Sequence, residues 1–150
     1  MLGLGKKSPP SLDRFPTDKC TVAQGMCDGR PMVVRLNAWA RKYIGHPELP
    51  VRLGVTIAFN QPNEHGFCSP EEGARVGEIE DRLEKQLEST RAAFPVLAIT
   101  LSGQREFVYY VRDREKASTA VDAVRAESPS HTIVYGFVDD ADWSYYTQFA

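Results

Sequence analysis

A chain of 150 residues, 42% hydrophobic and 25% charged, has the profile of one globular domain large enough to bury roughly 70% of its unfolded surface. A formal net charge of -2 excludes the broad basic field that gathers phosphate backbones or anionic lipid from a distance. No apolar run approaches the ~20 residues of a membrane-spanning helix, so a cytoplasmic protein with no membrane partner is expected.

The opening stretch is rich in Pro, Ser, Lys and Gly and has no apolar periodicity. It lacks the order of charge and apolar residues of a secretory signal, and residues 1–14 read as a flexible tail ahead of a single domain over 15–150. Cys20, Cys27 and Cys68 are odd in number. Their one close pair has C-x6-C spacing rather than the C-x2-C of zinc or redox sites, so reduced thiols are expected.

In "DKCTVAQGMCDGRPMVVRLN" two β-prone runs, Lys19 to Met26 and Arg30 to Leu36, flank Asp28-Gly29, a strong signal for a hairpin with a primed turn. Residues 37–50 place Trp39, Tyr43 and Ile44 for about one helical turn before Gly45 and two prolines stop it. "VRLGVTIAFN" reads as an interior strand, with Val51, Leu53, Val55, Ile57 and Phe59 on one face.

A long helix follows. Ser69 is positioned to cap it, Pro70 suits its first position, and Glu72 is placed to complete a capping box. Val76, Ile79, Leu83, Leu87 and Phe94 form its apolar stripe. Beyond Pro95 come "VLAITL" and "REFVYYVR", joined at Ser102-Gly103. Asp113 is placed to cap a second helix with Ala117, Ala120, Val121 and Val124 inward. "HTIVYGFV" is the last strand, and Asp139 or Asp140 starts a final helical turn. Gly54 and Gly136, inside strands, mark bulges or close backbone approaches.

From Val51 onward the order is strand, helix, strand, strand, helix, strand. This is the split βαβ pattern of a ferredoxin-like fold. The predicted domain is therefore α+β: a ferredoxin-like βαββαβ core with an added N-terminal β-hairpin, a mainly antiparallel sheet of five or six strands, and two helices on one face. The other face needs a cover. The C-terminal "DDADWSYYTQFA" offers one, because Trp143 and Tyr146, three apart, turn to the same side of a short helix.

The run "TVAQGMCDGRPMVVRLN", the segment "NEHGFCSPEE" leading to "IEDRLEKQL", the strand "REFVYY" and the closing "DADWSYY" together resemble an uncharacterised bacterial family, domain of unknown function 695. The Ile79-Glu80-Asp81 run and Asp140-x-x-Trp143-x-x-Tyr146 are its most specific elements. The architecture is also similar to the bacterial regulator of ribonuclease activity B, a protein-binding module. The resemblance implies the fold and leaves the activity open.

Three chemistries deserve weighing. His65 with Cys68 in "HGFC" pairs a base with a nucleophile, which would make a hydrolase-like enzyme, but no orienting group or oxyanion donor accompanies them. Asp139, Asp140 and Asp142 bring carboxylates together, yet helix capping accounts for them, and His46, His65 and His131 have no metal-ligand spacing. No metal or cofactor is expected.

Single-stranded RNA is the rival ligand. In the strand Arg105 to Arg112, Phe107-Val108-Tyr109-Tyr110 matches the end of the third-strand motif of RNA-recognition folds, although the motif's glycines are missing. The expected role is non-enzymatic: a domain that binds a protein partner, or a second copy of itself, through Tyr109, Tyr110, Trp143, Tyr145 and Tyr146.

Overall fold

Asp28 and Gly29 both take positive φ, 51° and 79°, as a primed two-residue turn requires. In the computed structural model, which describes residues 8–17 and 20–150, they join β1 (Thr21–Cys27) to β2 (Arg30–Leu36). Residues 1–7 of the expected tail and Lys19, the expected start of the first strand, lie outside the described residues. Ser102 and Gly103 repeat the device, at 54° and 83°, between β4 (Ala93–Leu101) and β5 (Gln104–Val111). With β3 (Val51–Ala58) and β6 (Ile133–Asp139) these strands form one six-stranded sheet in the order β1-β2-β4-β5-β3-β6. Every neighbouring pair is antiparallel, and the N-terminal hairpin lies at one edge.

Helix α1 (Pro70–Ser89) begins as its sequence demands, with the Ser69 hydroxyl accepting from the Glu72 amide at 3.1 Å. The capping box is only half made, because the Glu72 carboxylate turns away to accept from the amides of Asn60 and Gln61. Helix α2 (Arg114–Glu127) starts under Asp113, which accepts from the Lys116 amide at 3.0 Å. Val76, Ile79, Leu83 and Leu87 of α1 share one core with Ala117, Ala120, Val121 and Val124 of α2 and with Leu53, Val55, Ile57, Phe107 and Tyr109 of the sheet. Both helices thus cover the same sheet face.

Phe94 does not continue the α1 stripe. Helix α1 stops at Ser89, and β4 already includes Ala93 to Pro95, with an irregularity between Pro95 and Leu97. Pairing of β2 with β4 ends at Leu36 opposite Leu97, so Pro95, which has no N–H to give, lies beyond the ladder. Phe94 consequently packs on the opposite face.

That second face has its own core: Leu12, Phe15, Val34, Ala40, Tyr43, Leu49, Phe94, Val96, Leu97, Ile99, Val108, Tyr110, Trp143 and Tyr146. Its cover comes from irregular segments at three places in the chain. A 3-10 turn at Ala38–Tyr43 contributes Ala40 and Tyr43, while Trp39 and Ile44, the other two residues that marked the expected helical turn, are exposed. The short helix α3 (Ser144–Thr147) closes the far end.

The third cover corrects the expectation of a loose tail through Arg14. Ser11 to Arg14 make a capped 3-10 turn, and Leu12 and Phe15 are buried. The Phe15 ring lies 4.7 Å from Tyr43 and 5.0 Å from Phe94. Arg91 donates to the Leu12 carbonyl at 2.7 Å, and the Tyr43 hydroxyl donates to that of Ser11 at 3.0 Å. Two apolar residues three apart carry no periodic signal, yet they fill a gap in an apolar surface.

Gly54 marks a close approach. A Cβ there would stand 2.9 Å from a Glu106 carboxylate oxygen, and the other oxygen of that carboxylate accepts from the Tyr145 hydroxyl at 2.7 Å. Gly54→Ala should push the Glu106 side chain aside and weaken this hydrogen bond, lowering stability by about 0.5–1.5 kcal/mol in urea denaturation.

Candidate functional site

Four of the five residues expected to bind a partner are inside the protein. Tyr109, Tyr110, Trp143 and Tyr146 have exposures of 1%, 0%, 0% and 0%. Tyr145 is half-buried, with Arg52 over its ring at 4.1 Å. The expectation that these aromatics form a docking surface is therefore corrected: they are core, because the face that lacks helices is sealed from within the chain.

Trp143 stacks on Tyr110 at 4.0 Å with the planes 7° apart, donates its indole N–H to the Leu49 carbonyl at 3.0 Å, and meets Tyr146 edge-on. Asp140 starts this cap. Its carboxylate accepts from the Ser144 amide and hydroxyl, the Tyr145 amide and the Tyr110 hydroxyl. Burial raises its carboxyl, but these hydrogen bonds outweigh that and hold it below the usual range.

The same burial removes the RNA reading of the strand Arg105 to Arg112. Phe107 is 2% exposed, and β5 is covered on both faces, so no base can reach its rings. His65 and Cys68 also fail to converge. The His65 ring faces Glu64 at 3.5 Å in an exposed loop, Cys68 packs against the helix-covered core, and no contact joins the two among the described residues.

Two polar constellations that sequence reasoning did not assemble are present instead. In the first, Glu72 accepts from the Asn60 amide at 2.5 Å, the Gln61 amide at 3.2 Å and the His131 Nε2 at 2.7 Å, while His131 Nδ1 meets the Ser130 hydroxyl at 3.0 Å. The serine, histidine and carboxylate sequence looks like a relay. However, both the His131 and Glu72 side chains are fully enclosed and the carboxylate is already taken up by the β3–α1 loop, so the arrangement ties that loop to the start of β6. Glu72 was legible as a helix-start residue; His131, 59 residues away, was not.

The second lies between α1 and the outer hairpin. Arg35 pairs with Glu80 across the gap from β2 to α1, and Glu84, one turn on, faces the same space together with Asn37 and Tyr109. The row Arg35, Ala98, Phe107 runs across the sheet beneath α1, and Val22 of β1 extends it outward. Burial and then Glu80 push the Glu84 carboxyl up to about 7, with Arg35 opposing. The Ile79-Glu80-Asp81 run stood out in the sequence, but without any sign of Arg35, 45 residues away, as its partner. Such a carboxylate pair can share a proton or hold a cation.

A family model described as "Family of unknown function (DUF695)" matches residues 18–150. The chain belongs to DUF695. The DUF695 region includes the hairpin, the Glu80 and Glu84 cleft and the Trp143 cap, whereas the Leu12–Arg14 turn precedes it. Neither the search of curated proteins nor that of solved structures returned a match. No helix among the described residues is long and apolar enough to cross a membrane.

Proposed function

We propose that this DUF695 domain is a non-enzymatic interaction domain that binds a protein partner along β1. One observation carries the reading: among the described residues β1 is an open edge whose own sequence has nothing to discourage pairing. Its seven residues, TVAQGMC, include no charge and no proline, the usual means of blunting an edge. Six of the seven are exposed, with Val22 at 66% and Met26 at 64%. An extended partner segment adding here would gain a backbone ladder, with Val22 and Met26 receiving alternate side chains. The βαββαβ part is read as ferredoxin-like, supported by the place of its first strand, β3, between its third and fourth, β5 and β6. The reduced thiols of Cys27 and Cys68 fit a cytoplasmic setting.

Val22→Lys combined with Met26→Lys should abolish capture of the partner from cell lysate, whereas Val134→Lys on the opposite edge should leave it intact. Equal capture by both variants would defeat the reading. If the wild-type chain instead sediments as a dimer and the β1 variant as a monomer, the partner is a second copy.

A further inference from the structure

The strand that best complements β1 is β1 itself, and we infer that two copies of this chain pair along it, antiparallel, about a two-fold axis at Gln24. The inference rests on the β1 reading above, whose partner it identifies. The two-residue turn at Asp28-Gly29 decides which backbone groups are on offer. Cys27 and Arg30 flank it as a hydrogen-bonded pair, and such pairs alternate along an antiparallel ladder, so β2 takes the N–H and C=O groups of Cys27, Gly25, Ala23 and Thr21. Those of Val22, Gln24 and Met26 point away from the sheet.

A two-fold axis reverses the strand, so each residue must suit the one equally far on the other side of the centre. Only the register centred on Gln24 pairs the whole of Thr21–Cys27. It sets Val22 against Met26 of the second copy, large apolar against large apolar, and Ala23 against Gly25, small against small. The outward backbone groups then meet one another, Val22 with Met26 and Gln24 with its own copy. A charged side chain on the axis would repel its twin, whereas the Gln24 carboxamide carries both donors and an acceptor and can bond to it.

The apolar surface follows the same axis. Pro31 and Val33 of β2 lie beside Met26 and Gln24 on the same sheet face and are half-buried. With Val22 and Met26 of both copies they become one continuous patch, which a lone chain leaves in water. The other edge does not compete, because Arg114 lies over Phe137 at 4.8 Å and Arg125 over Tyr135 at 5.3 Å, and β6 ends in Asp139. Pairing through β1 alone gives a closed dimer with one sheet running through both copies.

Sedimentation of the full chain should give about twice the chain mass above roughly 100 µM and a shift towards monomer on dilution, since a single strand pair is a small interface. Val22→Lys with Met26→Lys should stay monomeric, and Val134→Lys should dimerise as the wild type does. Single cysteines then read the register. In a chain carrying Cys20→Ser, Cys27→Ser and Cys68→Ala, Gln24→Cys should give a disulfide-linked dimer with oxidised glutathione, because residues in a hydrogen-bonded antiparallel pair stand about 5.5 Å apart, within disulfide reach. Met26→Cys should give at least tenfold less, because in this register its Cα lies roughly 14 Å along the strand from its twin.

A monomer at every concentration up to about 1 mM, or crosslinking at Met26→Cys equal to that at Gln24→Cys, would overturn the assignment. A monomeric wild-type chain whose lysate capture is still lost in the Val22→Lys, Met26→Lys variant removes the second copy and leaves β1 as the docking edge. A dimer that survives the double variant removes both.

Discussion

Trp143→Ala should lower the free energy of unfolding by about 3–5 kcal/mol, the range for emptying a large aromatic core site. Three losses combine. The indole is fully enclosed, so its removal leaves a cavity that the sheet cannot collapse to fill. Tyr110 loses a ring stacked 4.0 Å away, and the Leu49 carbonyl loses its donor. Trp143 also holds a left-handed backbone angle, φ 58°, that the docked side chain and the Asp140 hydrogen bonds maintain. Urea denaturation provides the measurement. A loss under about 1 kcal/mol would mean that the C-terminal segment does not close the sheet as described.

His131→Ala should also lower stability, by about 3 kcal/mol, because it takes a hydrogen-bond donor from an enclosed carboxylate. The pH dependence identifies the pair. Burial raises the Glu72 carboxyl, but the Asn60 amide, the His131 ring and the Gln61 amide outweigh it, and the group ends below the usual carboxylate range. A carboxyl that binds its proton more weakly in the folded chain stabilises the fold fully above its unfolded value. That contribution is lost as pH falls through the folded value. Glu72→Gln should therefore flatten the decline in unfolding free energy between about pH 5 and pH 2 that the wild-type chain shows. An acid limb as steep in the variant as in the wild type would assign the decline to other carboxyls.

The elements with local signals were legible in the sequence. Asp28-Gly29 and Ser102-Gly103 demand their turns through backbone angles, Ser69 and Asp113 mark helix starts by short-range hydrogen bonds, and the Val76 to Leu87 stripe records a buried face. Even the sealing role of Trp143 and Tyr146 could be read from their spacing. What failed was the inference from aromatic to exposed. Tyr109 and Tyr110 point to opposite faces; Tyr109 lies under the helices, and only the knowledge that Leu12, Phe15 and Tyr43 cover the second face shows that Tyr110 is interior too. The Phe94 error had the same origin, since a helix stripe and a strand face look alike until the helix end is known. Glu72 with His131, and Arg35 with Glu80, join residues 59 and 45 apart, distances over which a single sequence carries no pairing signal.

The cover of the second face is stitched by such distant contacts. Trp143 meets the Leu49 carbonyl 94 residues upstream, and the Tyr146 hydroxyl meets that of Asn37 across 109. Loops of that length close late, because their ordering entropy must be met before any contact forms, while the Ser102-Gly103 hairpin needs only its own neighbours. During folding the greasy side of the central strands therefore stays wet until the segment that carries Trp143 and Tyr146 has docked.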